Sequence, residues 1–140
     1  MADLLDGIAR YLHGLGLVVF DPEGLVGDLF VDTMPEAPDE AVAIATYPLG
    51  LPDPLNADDE LGLQVRARGP AEDPRPSRRR CQDIYSALQG LTDTALPDGT
   101  WLVLAAAQQT PSPLGKDERG RPEHVVNFRL HVVSETTHRS

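Results

Sequence analysis

Chemistry needs side chains that ligate, attack or move protons, and this chain spaces few of them usefully. Its four histidines are His13, His124, His131 and His138. His124 and His131 stand seven apart on the last alternating apolar segment. An odd separation on a strand puts them on opposite faces, so without a bulge they cannot share a metal there. The one cysteine, Cys81, falls at an apolar helical position. It reads as a buried thiol, because a reactive thiol needs exposure and a lowered pKa. A lone cysteine also excludes an internal disulfide framework and a cysteine-based zinc site. The chain has no Gly-rich phosphate loop with its lysine, no Gly-x-Ser-x-Gly and no His-Glu-x-x-His. The expectation is no catalytic residue, no metal and no cofactor.

The charged clusters are more prominent. Arg75, Arg78, Arg79 and Arg80 crowd the start of a helical segment. A solvated face is the plain reading, and contact with an acidic neighbouring subunit is the sharper one. Asp58, Asp59 and Glu60 make an acidic turn, either solvated or forming the wall of a pore or interface. Lys116, Asp117, Glu118, Arg119 and Arg121 mix both signs on one long loop, which fits a docking element as well as simple solubility. Trp101 opens an apolar segment and reads as packing rather than ligand stacking.

Composition sharpens this. The 140 residues hold 12 Lys+Arg and 22 Asp+Glu, for a formal net charge of −10. Such a balance argues against gripping nucleic acid over a broad face. The excess is confined to residues 1–60, which hold 13 acids and a single base, Arg10. Two unlike halves suit ordered self-contact, positive patch to negative patch. The acidic start, Met1-Ala2-Asp3-Leu4-Leu5-Asp6, lacks a signal peptide's basic region, and no apolar run approaches the roughly 20 residues of a membrane helix. With a lone thiol this points to a reducing, cytosolic place of synthesis and to no membrane partner.

The elements that position these groups follow from periodicity. Leu4, Ile8, Leu12 and Leu15 fall at helical spacing, with Asp3 as N-cap and Gly14 and Gly16 as the stop. Strands are expected over Leu29–Met34, Ala41–Tyr47 and Leu63–Arg68, the last alternating with period two. A connection over Pro48–Glu60 carries three prolines and four acids. A second helix runs to Leu88, capped by Asp73 or Ser77, with Cys81, Ile84 and Leu88 inward and Gly90 as the stop. Trp101–Ala107 and the segment Val126–Val132 read as a hairpin joined by a long loop over residues 110–122. Arg129 lies on the wet side of the last strand. The fold class is α+β: one domain over 1–135, a mainly antiparallel sheet with two helices on one face, in the order α-β-β-β-α-β-β, with 136–140 a flexible tail.

Two function classes stay open at this level. One is a non-catalytic self-assembling protein. The other is a small enzyme or ligand binder whose site forms at an oligomer interface. A cleft with convergent polar groups and shifted pKa values would favour the second.

Several segments resemble a known family. They are Asp28-Leu-Phe30, Met34-Pro35 to Ala41, Leu63 to Gly69, Asp73 to Ser77, Ile84-Tyr85-Ser86-Ala87-Leu88-Gln89-Gly90-Leu91, Leu96 to Thr100, Pro113 to Arg121 and Glu123 to Phe128. Together, and in this order, they resemble the minor capsid proteins of long-tailed actinobacterial phages, which are similar to tail terminators. The resemblance implies a virion structural protein, a ring of usually six copies at the head-proximal end of the tail tube. It implies contact with the tail tube protein and the head–tail connector, and DNA passing through without tight binding. A neck protein on the head side is the alternative.

On that reading Arg75, Arg78, Arg79, Arg80 and Arg129 are candidates for the subunit interface. Asp58, Asp59 and Glu60 are candidates for its acidic partner or the lumen. Leu114, Lys116, Asp117, Glu118, Arg119 and Arg121 are candidates for docking to tube or connector.

Overall fold

A computed structural model describes residues 3–140; the first two residues of the acidic start, Met1 and Ala2, lie outside the described residues. The element order is α1 (Leu4–Gly14), β1 (Leu29–Val31), β2 (Ala41–Pro48), β3 (Asp58–Arg68), α2 (Arg75–Leu88), β4 (Thr92–Ala95), β5 (Trp101–Ala107), β6 (Ser112–Lys116) and β7 (Pro122–Val133). The expected α-β-β-β-α-β-β order holds, with two short strands, β4 and β6, added. The seven strands form one sheet in the order β1-β2-β3-β7-β5-β4, with β6 also on β7. Only β1 with β2 is parallel; the other pairs are antiparallel.

Strand β7 organises the sheet. One of its edges pairs with the whole of β3, from Asp58 opposite Val133 to Arg68 opposite Glu123. Its other edge is shared. β5 takes residues 128–133, and β6 takes the stretch from Pro122 to Val125. The long loop expected over 110–122 therefore contains a ladder over residues 112–116, and its true tip is only residues 117–121. The sequence hid this because Pro111, Pro113 and Gly115 read as breakers, whereas an edge position tolerates proline and a bulge.

The two faces differ. His124, Val126, Phe128, Leu130 and Val132 point to the helices, and all five are buried. Helix α2 lays Cys81, Ile84 and Leu88 on β3, β5 and β7, while α1 lays Ile8, Ala9 and Leu12 on β1 and β2. These join Val42, Ile44, Leu63 and Val65 in one core. The opposite face carries Glu60, Gln64, Arg66, Asn127, Arg129 and His131, and no helix among the described residues covers it.

Local details follow the chemistry of the residues. Asp3 caps α1 by accepting the Asp6 N–H, and Asp6 pairs with Arg10 at 2.6 Å one turn on. β1 stops at Val31, short of Met34, because Asp32 takes a left-handed conformation with φ 70°. In α2 neither expected cap holds the N-cap position. Pro74 stands there and Pro76 lies in the first turn, where its missing N–H costs nothing. Asp73 instead accepts the Arg75 N–H at 3.1 Å, and Ser77 sits inside the helix. Asp58, Asp59 and Glu60 are the first residues of β3 rather than part of a turn, so the β2–β3 connection is only residues 49–57. Their pairing with β7 outweighs their low strand propensity.

Candidate functional site

The candidate residues divide by whether the fold of the single chain already uses them. Arg80 reaches back to Asp28 at 2.8 Å, and Arg129 crosses the open face to Glu60 at 3.1 Å. Arg75 is held by Asp73. These three meet acids within the chain, two of them in the first 60 residues. Arg78 and Arg79 are exposed on α2 and have no ion-pair partner among the described residues.

The acidic trio is also engaged. Asp58 lies 3.6 Å from His131, and Glu60 meets Arg129. Asp59 takes a two-pronged contact from Arg139 at 2.8 and 2.9 Å, whose hydrogen bond holds its carboxyl below the usual aspartate range against the opposing effect of burial. Arg139 also donates to the carbonyls of Asp53, Asn56 and Ser134. One side chain, Arg139, thus links the C-terminal segment to the β2–β3 connection.

The β6–β7 tip is built around Arg121. Its side chain is only 4% exposed and donates to Asp117 at 2.8 Å, to Asp39 at 3.0 Å and to the Glu36 carbonyl at 2.6 Å. Burial alone would lower the Arg121 pKa, but the hydrogen bonds to Asp117 and Asp39 raise it. For Asp117 burial would raise the pKa, and hydrogen bonds from Arg121 and Arg119 lower it. Arg68 is buried as well and donates to the carbonyls of Asp39, Pro38 and Glu36. Burial, then the charge of Arg121, lowers its pKa. Two arginines therefore clasp the turn over residues 36–39 against the tip. Nothing local in the sequence marks this, since Arg68 reads simply as one residue of a wet strand face. Of the loop candidates, Asp117 and Arg121 build the tip, whereas Leu114, Lys116, Glu118 and Arg119 are exposed on it.

Groups with the chemistry for catalysis are buried or dispersed. His124 bonds Ser77 at 2.8 Å under α2, and burial followed by the Arg78 charge lowers its pKa. His131 lies on the other face, in accord with the odd spacing. His13 accepts the Phe20 N–H. Cys81 is fully buried, and burial pushes its pKa up to about 12. Trp101 differs from its expected packing role: it is 42% exposed on the open face, opposite Val133.

A depression of about 360 Å³ gathers Arg68, Asp117 and Arg121, but each is held by another group of the fold. Among the described residues, no three His, Cys, Asp or Glu side chains are grouped to hold a metal. No described helix is long and apolar enough to cross a membrane.

No curated protein matches this sequence. A family match runs over residues 11–134, taking in α2 and all seven strands. On that match over most of its length, the chain belongs to the bacteriophage tail terminator protein family and is a structural component of a phage tail.

Proposed function

We propose that the chain caps the head-proximal end of the tail tube as a ring, six copies by the resemblance, and joins the tail to the head connector while DNA passes through. The phages would be the long-tailed actinobacterial kind that the sequence blocks resemble. The reading is carried by the family match over residues 11–134. A closed ring needs two unlike patches on one subunit that meet on neighbours. Arg78 and Arg79 supply a basic patch not spent inside the chain, and the acidic first 60 residues supply the opposite sign. Glu118 and Arg119, exposed at the tip, are the residues proposed to face tube or connector.

An electron-microscopy map of the particle tests this by copy number and position. A ring between tube and connector is the expected result. A single copy, or a ring wholly on the head side of the connector, would overturn it. Charge reversal of Arg78 and Arg79 should weaken ring formation, and rings that persist undiminished would remove these arginines from the interface.

A further inference from the structure

The β6–β7 hairpin over residues 112–121, a tongue on the edge of the sheet, leaves an apolar side chain without a partner. Leu114 stands between Pro113, opposite His124, and Gly115, opposite Glu123, where the ladder slips and leaves it no partner on β7. It is 53% exposed. Beside it, Lys116 contacts Glu72 at 2.6 Å, a pair more than half exposed on both sides and so weakly held. The tongue thus offers an apolar side chain next to a cation.

The opposite end of the sheet offers the complement. A hollow of about 430 Å³ opens between the β2–β3 connection and the start of β3. It is lined by Leu49, Leu51 and Leu61 together with Asp53, Asp58 and Glu60. Glu60 shares its charge with Arg129 in a pair about half exposed on both sides, while Asp53 and Asp58 have no lysine or arginine ion pair among the described residues. Leu51 is 98% exposed, so nothing in the chain covers it. The tongue cannot fill its own hollow. The two lie at opposite ends of the β3–β7 ladder, which at about 3.3 Å per residue separates them by on the order of 30 Å.

We propose that Leu114 of one copy seats in the Leu49–Leu61 hollow of the next, with Lys116 beside its acidic residues. Apolar surface meets apolar surface and the charges are opposite. Because the two patches are unlike and sit at opposite ends, the contact is heterologous and repeats from copy to copy. The inference deepens the ring reading and rests on it.

The test uses a chain carrying Leu114→Cys and Leu51→Cys together, both at exposed sites, while buried Cys81 stays silent. Tails assembled with this chain are treated with a short thiol-to-thiol linker and run under denaturing conditions. The expected result is a ladder of dimers, trimers and higher species, reduced to monomer bands in either single variant. Rings seen by microscopy with no ladder would overturn this contact and leave the ring reading standing. Absence of rings in wild-type tails would overturn both.

Discussion

Arg68 on β3 and Arg121 at the foot of β7 donate to the same acceptor, the carbonyl oxygen of Glu36, at 3.4 and 2.6 Å. Neither Arg68 nor Arg121 is free to serve as a surface charge. Together they fix the turn over residues 36–39, and through Asp117 they fix the tip of the tongue.

Arg121→Ala should therefore loosen two segments at once. It strips donors from the Glu36 carbonyl, from the exposed Asp39 and from the largely buried Asp117, and an unpaired polar group is costly where it is buried. Hydrogen exchange should rise across residues 34–40 and 117–121, with a clear fall in melting temperature. Arg119→Ala is the control. Its pair with Glu36 is exposed on both sides, so the change should stay within about 1 kcal/mol. Equal effects of the two substitutions would contradict the clasp.

Phe128 is fully buried on β7 between Leu63 and Ala107, with the Tyr85 ring centroid 6.4 Å away. Phe128→Ala should cost about 3–5 kcal/mol in urea unfolding, a large share of the stability of an ordinary domain. A loss under about 1 kcal/mol would mean the core is not centred there.

The His124 imidazole is held neutral by burial and by the nearby Arg78. Its folded pKa lies below the ordinary 6.5, so the unfolded chain takes up the proton first. The stability it contributes is present above 6.5 and is lost as pH falls below that value. His124→Gln should flatten the stability profile between neutrality and about pH 5. It should leave the further acid loss below about pH 4, where the depressed Asp59 and Asp117 carboxylates protonate. An unchanged profile between neutrality and pH 5 would sink the assignment.

Cys81 should be inert to thiol reagents in the native chain and should react once per chain after denaturation. Its side chain is fully buried and its pKa is pushed to about 12, so almost no thiolate exists at neutral pH. Rapid native labelling would show that α2 opens.

With a net charge of −10, the chain should bind no duplex DNA at physiological salt. Anisotropy titration at about 150 mM salt and ~10 μM protein should show no saturation. Tight, salt-sensitive binding would contradict the proposed passage of DNA through a ring.

The sequence by itself determined the two helices, the main strands and the inward faces. Ile8 and Leu12, Leu63 and Val65, and Val126 to Val132 repeat with the helix or strand period, and periodicity is set by residues close in the chain. It also determined that His124 and His131 part company and that Cys81 is buried. Only the tertiary structure decided which charges are spent. Arg68, Arg121 and Arg139 pair with residues far away in sequence, and Arg80 and Arg129 find Asp28 and Glu60 the same way. An arginine in a list of residues looks the same whether it is solvated or clasping a turn. Its partner is chosen by which strands lie side by side, and β6 itself exists only because β7 leaves an edge for it to pair with.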